Sequence, residues 1–225
     1  MAANRNLLLA ALPRKSYAEV LPELKQVELK FGEVLYEPGQ LIDHVYFPAD
    51  SMVSLLTLVE DRLALEVGLV GREGMVGAPL ALGVDRSPVR ALVQGGGSAL
   101  RMSAGSFRSA LRRSPPLQRA TLRYVHALMS QVTQTAACNR FHVVESRLAR
   151  WLLMTRDRVL SDEFRMTQDF LAHMLGVRRV GVTEAAGALQ RRKLIEYARG
   201  AIRILSGRGL EAAACSCYRI VRNST

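Results

Sequence analysis

Between Val27 and about Met102 short apolar runs alternate with turn residues. Val34-Leu35-Tyr36 stops at Glu37-Pro38-Gly39, and His44-Val45-Tyr46-Phe47 stops at Pro48. Met52–Val59 ends at Glu60-Asp61, Leu63–Val70 at Gly71, and Arg90–Val93 at Gly95-Gly96-Gly97. The breaks recur every 8–15 residues, with β-branched and aromatic residues between them. Such spacing predicts an antiparallel all-β sandwich or barrel. Apolar stretches over Asn6–Leu12 and Tyr17–Leu24 predict helical turns ahead of it.

Past Pro115-Pro116 the period changes. Leu117–Asn139 contains no Gly or Pro, and apolar positions recur at Leu117, Ala120, Tyr124, Leu128 and Val132. Steps of three and four predict one helix of about six turns. No long helix adjoins it in sequence to cover its stripe. The expectation is a partner helix from a second copy, with Leu117, Tyr124, Leu128 and Val132 as dimer contacts, rather than packing on its own β-domain. A helix over Val144–Leu153 follows. The expected domains are residues 1–113, a dimerisation helix and hinge over 114–157, and a C-terminal domain over 158–225.

In that last segment Thr167 precedes the apolar-periodic run Gln168–Leu175, which stops at Gly176. A Thr there accepts from the free N–H groups of a helix start. A second helix is predicted from Arg178 to about Arg191. Leu194–Tyr197 and Ala201–Leu205 flank Arg199-Gly200 as a β-hairpin would, and a last helix is expected over Gly209–Val221. Helix, glycine turn, helix is the arrangement of a DNA-reading helix-turn-helix. Ala172 is small where the helices must approach, and Val182, Ala186 and Leu189 give the second helix an inward face. Arg179, Thr183 and Gly187 lie opposite, flanked by Val180 and Glu184. Arg178 and Arg179 stand at the N-terminal turn that would enter the major groove, where arginine suits guanine edges and phosphates. The hairpin would be a wing whose Arg199 and Arg203 reach the DNA backbone.

Charge changes the weight of this reading. The net charge is +11, and residues 114–225 carry 18 Lys/Arg against 8 Asp/Glu. The preceding 113 residues hold 13 against 12, so the basicity belongs to the second half, as a polyanion partner requires. No apolar run is long enough to span a membrane, and Leu7–Leu12 lacks a small-residue cleavage site behind it. A cytoplasmic protein is expected, in keeping with three cysteines and no paired framework.

The chain resembles the cyclic-AMP receptor/Fnr family of bacterial transcription regulators over roughly residues 20–220. The resemblance rests on Thr167-Gln168-Asp169-Phe170-Leu171-Ala172, Gly176-Val177-Arg178-Arg179 and Leu189–Ile195. It rests also on Gly32-Glu33-Val34-Leu35, Pro38-Gly39, Val45-Tyr46-Phe47 and Gly71-Arg72-Glu73-Gly74. It implies an α+β architecture: a jelly-roll-like antiparallel β-barrel that senses an effector, a long dimerisation helix and a C-terminal winged helix-turn-helix. The function implied is a homodimeric, sequence-specific regulator that binds pseudo-palindromic double-stranded DNA, with RNA polymerase as a further candidate partner. Thr167 and Gln168 carry over as phosphate contacts at a helix N-terminus. Val180 stands where relatives commonly place Glu, and Glu184 where they often place a basic residue.

By the same resemblance an effector pocket would involve Glu73, Arg86, Arg90, Val132 and Thr133. In cyclic-nucleotide receptors of the family a Gly-Glu pair opens the phosphate cassette and an Arg-Ser or Arg-Thr pair closes it. Gly71-Arg72-Glu73 interrupts the first, and Arg86-Ser87 is followed by Pro88. Cyclic AMP is therefore not expected as effector, and the small molecule sensed stays unidentified. An iron–sulfur cluster held by N-terminal cysteines is excluded, since Cys138 is the first cysteine.

Other chemistries find little support. His44, His126, His142 and His173 show no metal-ligand spacing, so a cupin-type metal enzyme lacks its ligands. Cys215 and Cys217, on one predicted helix, would point to different sides and read as structural, Cys138 as a buried apolar residue, and His142 as a packing or hinge residue. No metal site, phosphate-binding loop or Ser/His/Asp set is expected, hence no enzyme. The alternative is a ligand-binding signalling module whose C-terminal domain contacts protein.

Overall fold

The computed structural model describes residues 6–59 and 63–224. The chain divides into two compact units. One comprises Met1–Leu56 and Gly68–Met129; the other comprises Thr57–Val67 and Ser130–Ser224.

The first unit is built on two antiparallel sheets. Strands β1 (Lys25–Leu29), β7 (Gly97–Ser103) and β3 (His44–Pro48) form one, in the order β1-β7-β3. The other has the order β2-β6-β4-β5, from β2 (Val34–Tyr36), β6 (Arg90–Gly95), β4 (Met52–Val59) and β5 (Leu63–Val70). Alternation sends Val45 and Phe47 of β3, Ala91 and Val93 of β6, and Leu100 and Met102 of β7 into one core. Phe47 meets Phe107 edge to face, ring centres 6.4 Å apart. Burying a ring of this size stabilises the unit by about 1.5–3 kcal/mol.

Helices close the core. α1 (Leu7–Ala10) is docked by Asn6, whose amide donates to the Pro48 and Gly74 carbonyls at 2.9 Å and whose oxygen caps Leu9. α2 (Arg14–Val20) follows, shorter than the apolar stretch suggested because a 3-10 turn takes over at Leu21–Glu23. α3 (Ala104–Arg113), not foreseen from the pattern, is capped by Ser103. α4 (Pro115–Phe141) begins in this unit and ends in the other. Gly74 lets the Tyr124 ring of α4 lie against the backbone, since a Cβ there would sit 1.9 Å from a ring carbon.

The second unit holds α5 (Val144–Val159), α6 (Gln168–Leu175), α7 (Arg179–Arg191), α8 (Gly207–Ala213) and α9 (Cys217–Ser224). Its sheet, in the order β8-β10-β9, joins β8 (Glu163–Arg165), β10 (Ala201–Ile204) and β9 (Ile195–Ala198). β8 is too short and too polar to show as a strand in the sequence, yet pairs Phe164 with Ile202. α5 is the buried axis, with Leu148, Ala149, Leu152 and Leu153 at 2% exposure or less. Among the described residues no helix is long and apolar enough to cross a membrane.

The last helix departs from expectation. The stretch foreseen as one helix over Gly209–Val221 is interrupted at 214–216, with Ala214 extended at φ −70°, ψ 152°.

Candidate nucleic-acid interface

Thr167 caps α6 as its sequence predicts, its hydroxyl accepting from the Phe170 N–H at 3.2 Å. Gly176 ends that helix at φ +60°. A Cβ at Gly176 would also stand 2.6 Å from a Leu65 methyl, so glycine is required by backbone and neighbour together. Ala172 is buried at the helix crossing, and Val182, Ala185, Ala186 and Leu189 are buried along α7. Arg178, Arg179, Val180, Thr183 and Glu184 are left on its exposed face.

Several of these exposed groups are bonded to one another. The Thr183 hydroxyl donates to the Gln168 side-chain oxygen at 2.8 Å, tying α7 to the start of α6. Arg179 lies 3.6 Å from the Asp169 carboxylate, both well exposed. The wing joins the same corner, because the Met166 N–H donates to the Gly200 carbonyl at 2.7 Å. The Tyr197 hydroxyl donates to the Met166 carbonyl at 2.7 Å, and burial pushes that phenol above its ordinary pKa. Arg199 and Gly200 take φ +50° and +77°, the two positive values of a tight two-residue hairpin loop, which sets Arg199 at the exposed tip.

The proposed contacts do not stand alike. Thr167, Gln168, Arg179, Thr183 and the Arg199 tip converge through these bonds, and Arg178 is the exposed residue preceding α7. Arg203 is ion-paired with Glu163 at 3.1 Å and sits opposite Glu196, so its charge is offset within the wing. Exposed Arg165 on β8 is a further wing cation, invisible until β8 was seen to be a strand.

Behind this surface, buried Arg147 of α5 donates to the Leu175 carbonyl at the end of α6 and to Asn139 at 2.8 Å. Its burial lowers its pKa. A cation there complements the negative end of the α6 dipole.

The residues assigned to an effector pocket are differently engaged. Glu73 accepts from the Gly71 N–H at 3.1 Å. Arg86, exposed, donates to the Gly39 carbonyl at 2.7 Å, and Arg90 is ion-paired with Glu37 at 2.9 Å. Arg90 precedes buried Ala91 on β6, so alternation turns it to the outer face. Val132 and Thr133 belong to the other unit.

Of the expected dimer contacts, Leu117 (0% exposed) and Tyr124 (7%) are buried in the protomer's own core, and Leu128 packs against it half-buried; Val132 is also half-buried. This corrects the expectation for Leu117 and Tyr124: the core of the first unit takes them. What α4 leaves exposed is a seam of Leu122, His126, Met129, Thr133 and Ala136, at alternating steps of four and three.

A second group was set aside in the sequence and is assembled in the fold. The metal-binding atoms of Cys138, His142, Cys215 and Cys217 all lie within 4.8 Å of one another. Two thiols on one continuous helix would diverge, but the break before Cys217 turns both to one side. The Cys138 thiol is brought down to about 4, chiefly by accepting from the Cys215 thiol and further by the Arg150 guanidinium and His142. The bond it donates raises Cys215. The only sequence signal was the pairing of a C-x-x-x-H with a distant C-x-C.

Residues 146–213 match the family model of the Crp-like helix-turn-helix domain. No curated protein matches the chain. Solved structures do. The FixK2 protein of Bradyrhizobium japonicum is 14% identical, with a TM-score of 0.72 over 85% of this chain and 98% of that one. The c-di-GMP responsive global regulator CLP of Xanthomonas campestris is 16% identical, with a TM-score of 0.70 over 86% and 100%. A CRP-family transcriptional regulator from Thermus thermophilus is 19% identical, with a TM-score of 0.68 over 84% and 96%.

Proposed function

We propose that this chain, which carries a Crp-like helix-turn-helix domain on the fold of the Crp/Fnr transcription regulators, is a dimeric regulator that reads duplex DNA with α7. The observation that carries this reading is the bonded series Gly200–Met166 and Gln168–Thr183, which brings the wing, the start of α6 and the outer face of α7 to one exposed corner. Arg179, Val180, Thr183 and Glu184 face base edges in the major groove. Thr167, Gln168, Arg178 and Arg199 sit on phosphates, with Arg165 adding charge from the wing and Arg203 within reach of the backbone but offset by Glu163.

Dimerisation uses the Leu122–Met129–Ala136 seam of α4, whose spacing is that of a two-helix interface. Each subunit then presents one α7, and two half-sites one helical turn apart make a pseudo-palindromic operator. The sheet unit receives the input, and an effector acts by binding two states unequally. That effector is not cyclic AMP. Arg86 and Arg90 are committed to the loop at Gly39 and to Glu37, and a buried phosphate without an aimed cation costs several kcal/mol.

The test is binding of the full chain to selected duplex DNA over a series of salt concentrations. The logarithm of affinity should fall linearly with that of salt, by about 0.9 per phosphate neutralised. A flat response refutes the reading and favours a protein partner for the C-terminal unit.

A further inference from the structure

The end of α4 and the break between α8 and α9 meet within the second unit. Cys138 and His142 stand four residues apart, so one helical face presents both, and the His142 N–H still donates to the Cys138 carbonyl at 3.1 Å. Cys215 lies in the break and Cys217 begins α9 just after it, where the Tyr218 N–H turns back to the Cys215 carbonyl at 3.1 Å. Across the junction the Cys138 and Cys215 sulfurs are 3.5 Å apart, as are the Cys217 sulfur and His142 Nδ1.

Tetrahedral zinc, with bonds of roughly 2.3 Å to sulfur and 2.0–2.1 Å to nitrogen, separates its ligand atoms by roughly 3.5–3.8 Å. The two 3.5 Å pairs already match, and a limit of 4.8 Å over the whole group leaves small side-chain adjustments. Cys138 and Cys217 are buried, while Cys215 and His142 are half-buried, so an ion has a route in but no open coordination position once four ligands close. The surroundings supply support. The Gln134 amide donates to the Cys217 sulfur at 3.0 Å, and Arg150, bonded to Thr135 at 2.8 Å, lies close enough to favour a thiolate at Cys138. Such outer partners orient metal ligands.

We propose that Cys138, His142, Cys215 and Cys217 bind one zinc ion in a closed, four-coordinate thiolate–imidazole site. Three soft thiolates with one imidazole select zinc over calcium or magnesium, which prefer oxygen ligands. Loading releases the remaining thiol protons to solvent. The role is that of a brace. The ion ties the α8–α9 junction to the turn from which α5 departs, and Arg147 of α5 holds the end of α6.

The inference stands apart from DNA binding, and its test needs no DNA. Full-length protein is purified without chelator and its metal content measured by mass spectrometry. One zinc per chain is expected, with cobalt replacement giving the visible spectrum of tetrahedral cobalt–thiolate. Cys215→Ser and His142→Ala should each lower zinc affinity by about ten-fold or more, the scale on which even outer partners matter, whereas Cys215→His should stay loaded. If the serine variant fails to fold, zinc titration of chelator-stripped wild type and of Cys215→His decides. Substoichiometric zinc with no uptake on titration, uptake unaffected by Cys215→Ser and His142→Ala, an iron chromophore, or a Cys138–Cys215 disulfide in zinc-replete protein would each overturn the proposal.

Discussion

The indole N–H of Trp151 donates at 2.8 Å to the carboxylate of Glu66, 85 positions earlier in the chain. Both are buried, at 4% and 7% exposure, and both belong to the second unit, which counts Thr57–Val67 among its residues. Leu65, next to Glu66, is the residue that crowds Gly176. One short stretch of β5 therefore touches both the axis of the second unit and the turn between α6 and α7.

Replacing Trp151 with Phe keeps most of the packing and removes the donor. A hydrogen bond to a charged group contributes about 1.5–3 kcal/mol, so unfolding in denaturant should show a loss on that scale. Glu66→Gln, which keeps an acceptor, should lose less. Equal stability of Trp151→Phe and wild type would show that the bond contributes nothing.

Arg179 and Arg178 should separate by what they do to sequence preference. Arg179→Ala is expected to cost about 1–3 kcal/mol on the best operator and to relax selection at one base pair in each half-site. Arg178→Ala should weaken all duplexes more evenly and lower the salt slope by about one phosphate. Selection from random DNA with each variant reads the difference, and an unchanged consensus for Arg179→Ala would place α7 in another register.

Met129, 65% exposed on α4, should behave differently from Leu117, which is fully buried. Met129→Glu places a charge in the proposed seam and should yield folded monomers in sedimentation. Leu117→Ala should instead destabilise the protomer by about 2–5 kcal/mol through a cavity in its own core. A Met129→Glu protein that remains dimeric would move the interface off this face.

Calorimetric titration with cyclic AMP should give no binding heat at micromolar concentrations. Binding that is lost in Arg86→Ala or Arg90→Ala would mean that one of these arginines leaves its present partner to meet the phosphate.

Much of this architecture was legible from periodicity. The α6 boundaries, the Thr167 cap and the Gly176 turn all follow from local rules, since each depends on residues within one helical turn of it. The wing hairpin was readable for the same reason, through Arg199-Gly200. What stayed hidden depends on distant partners. β8 is three residues long and is a strand only because Ile202 lies across from Phe164. Leu117 and Tyr124 share one apolar stripe with Leu128, and a stripe does not say whether a sheet or a second helix will cover it. The cysteine–histidine group escaped notice because its meaning depended on a helix break at 214–216 that no glycine or proline announces.

The bond from Thr183 to Gln168 has a chemical polarity as well as a length. Because the hydroxyl donates to the amide oxygen, the two hydrogens on the amide nitrogen of Gln168 are not used in that bond. That amide belongs to the first residue of α6, where the helix dipole concentrates positive potential. Arg179 and this amide are donors at the corner, and the Asp169 carboxylate beside Arg179 is an acceptor there. On the proposed docking a phosphate oxygen would meet the amide's donors, and the contact would hold the start of α6 in place without reading sequence.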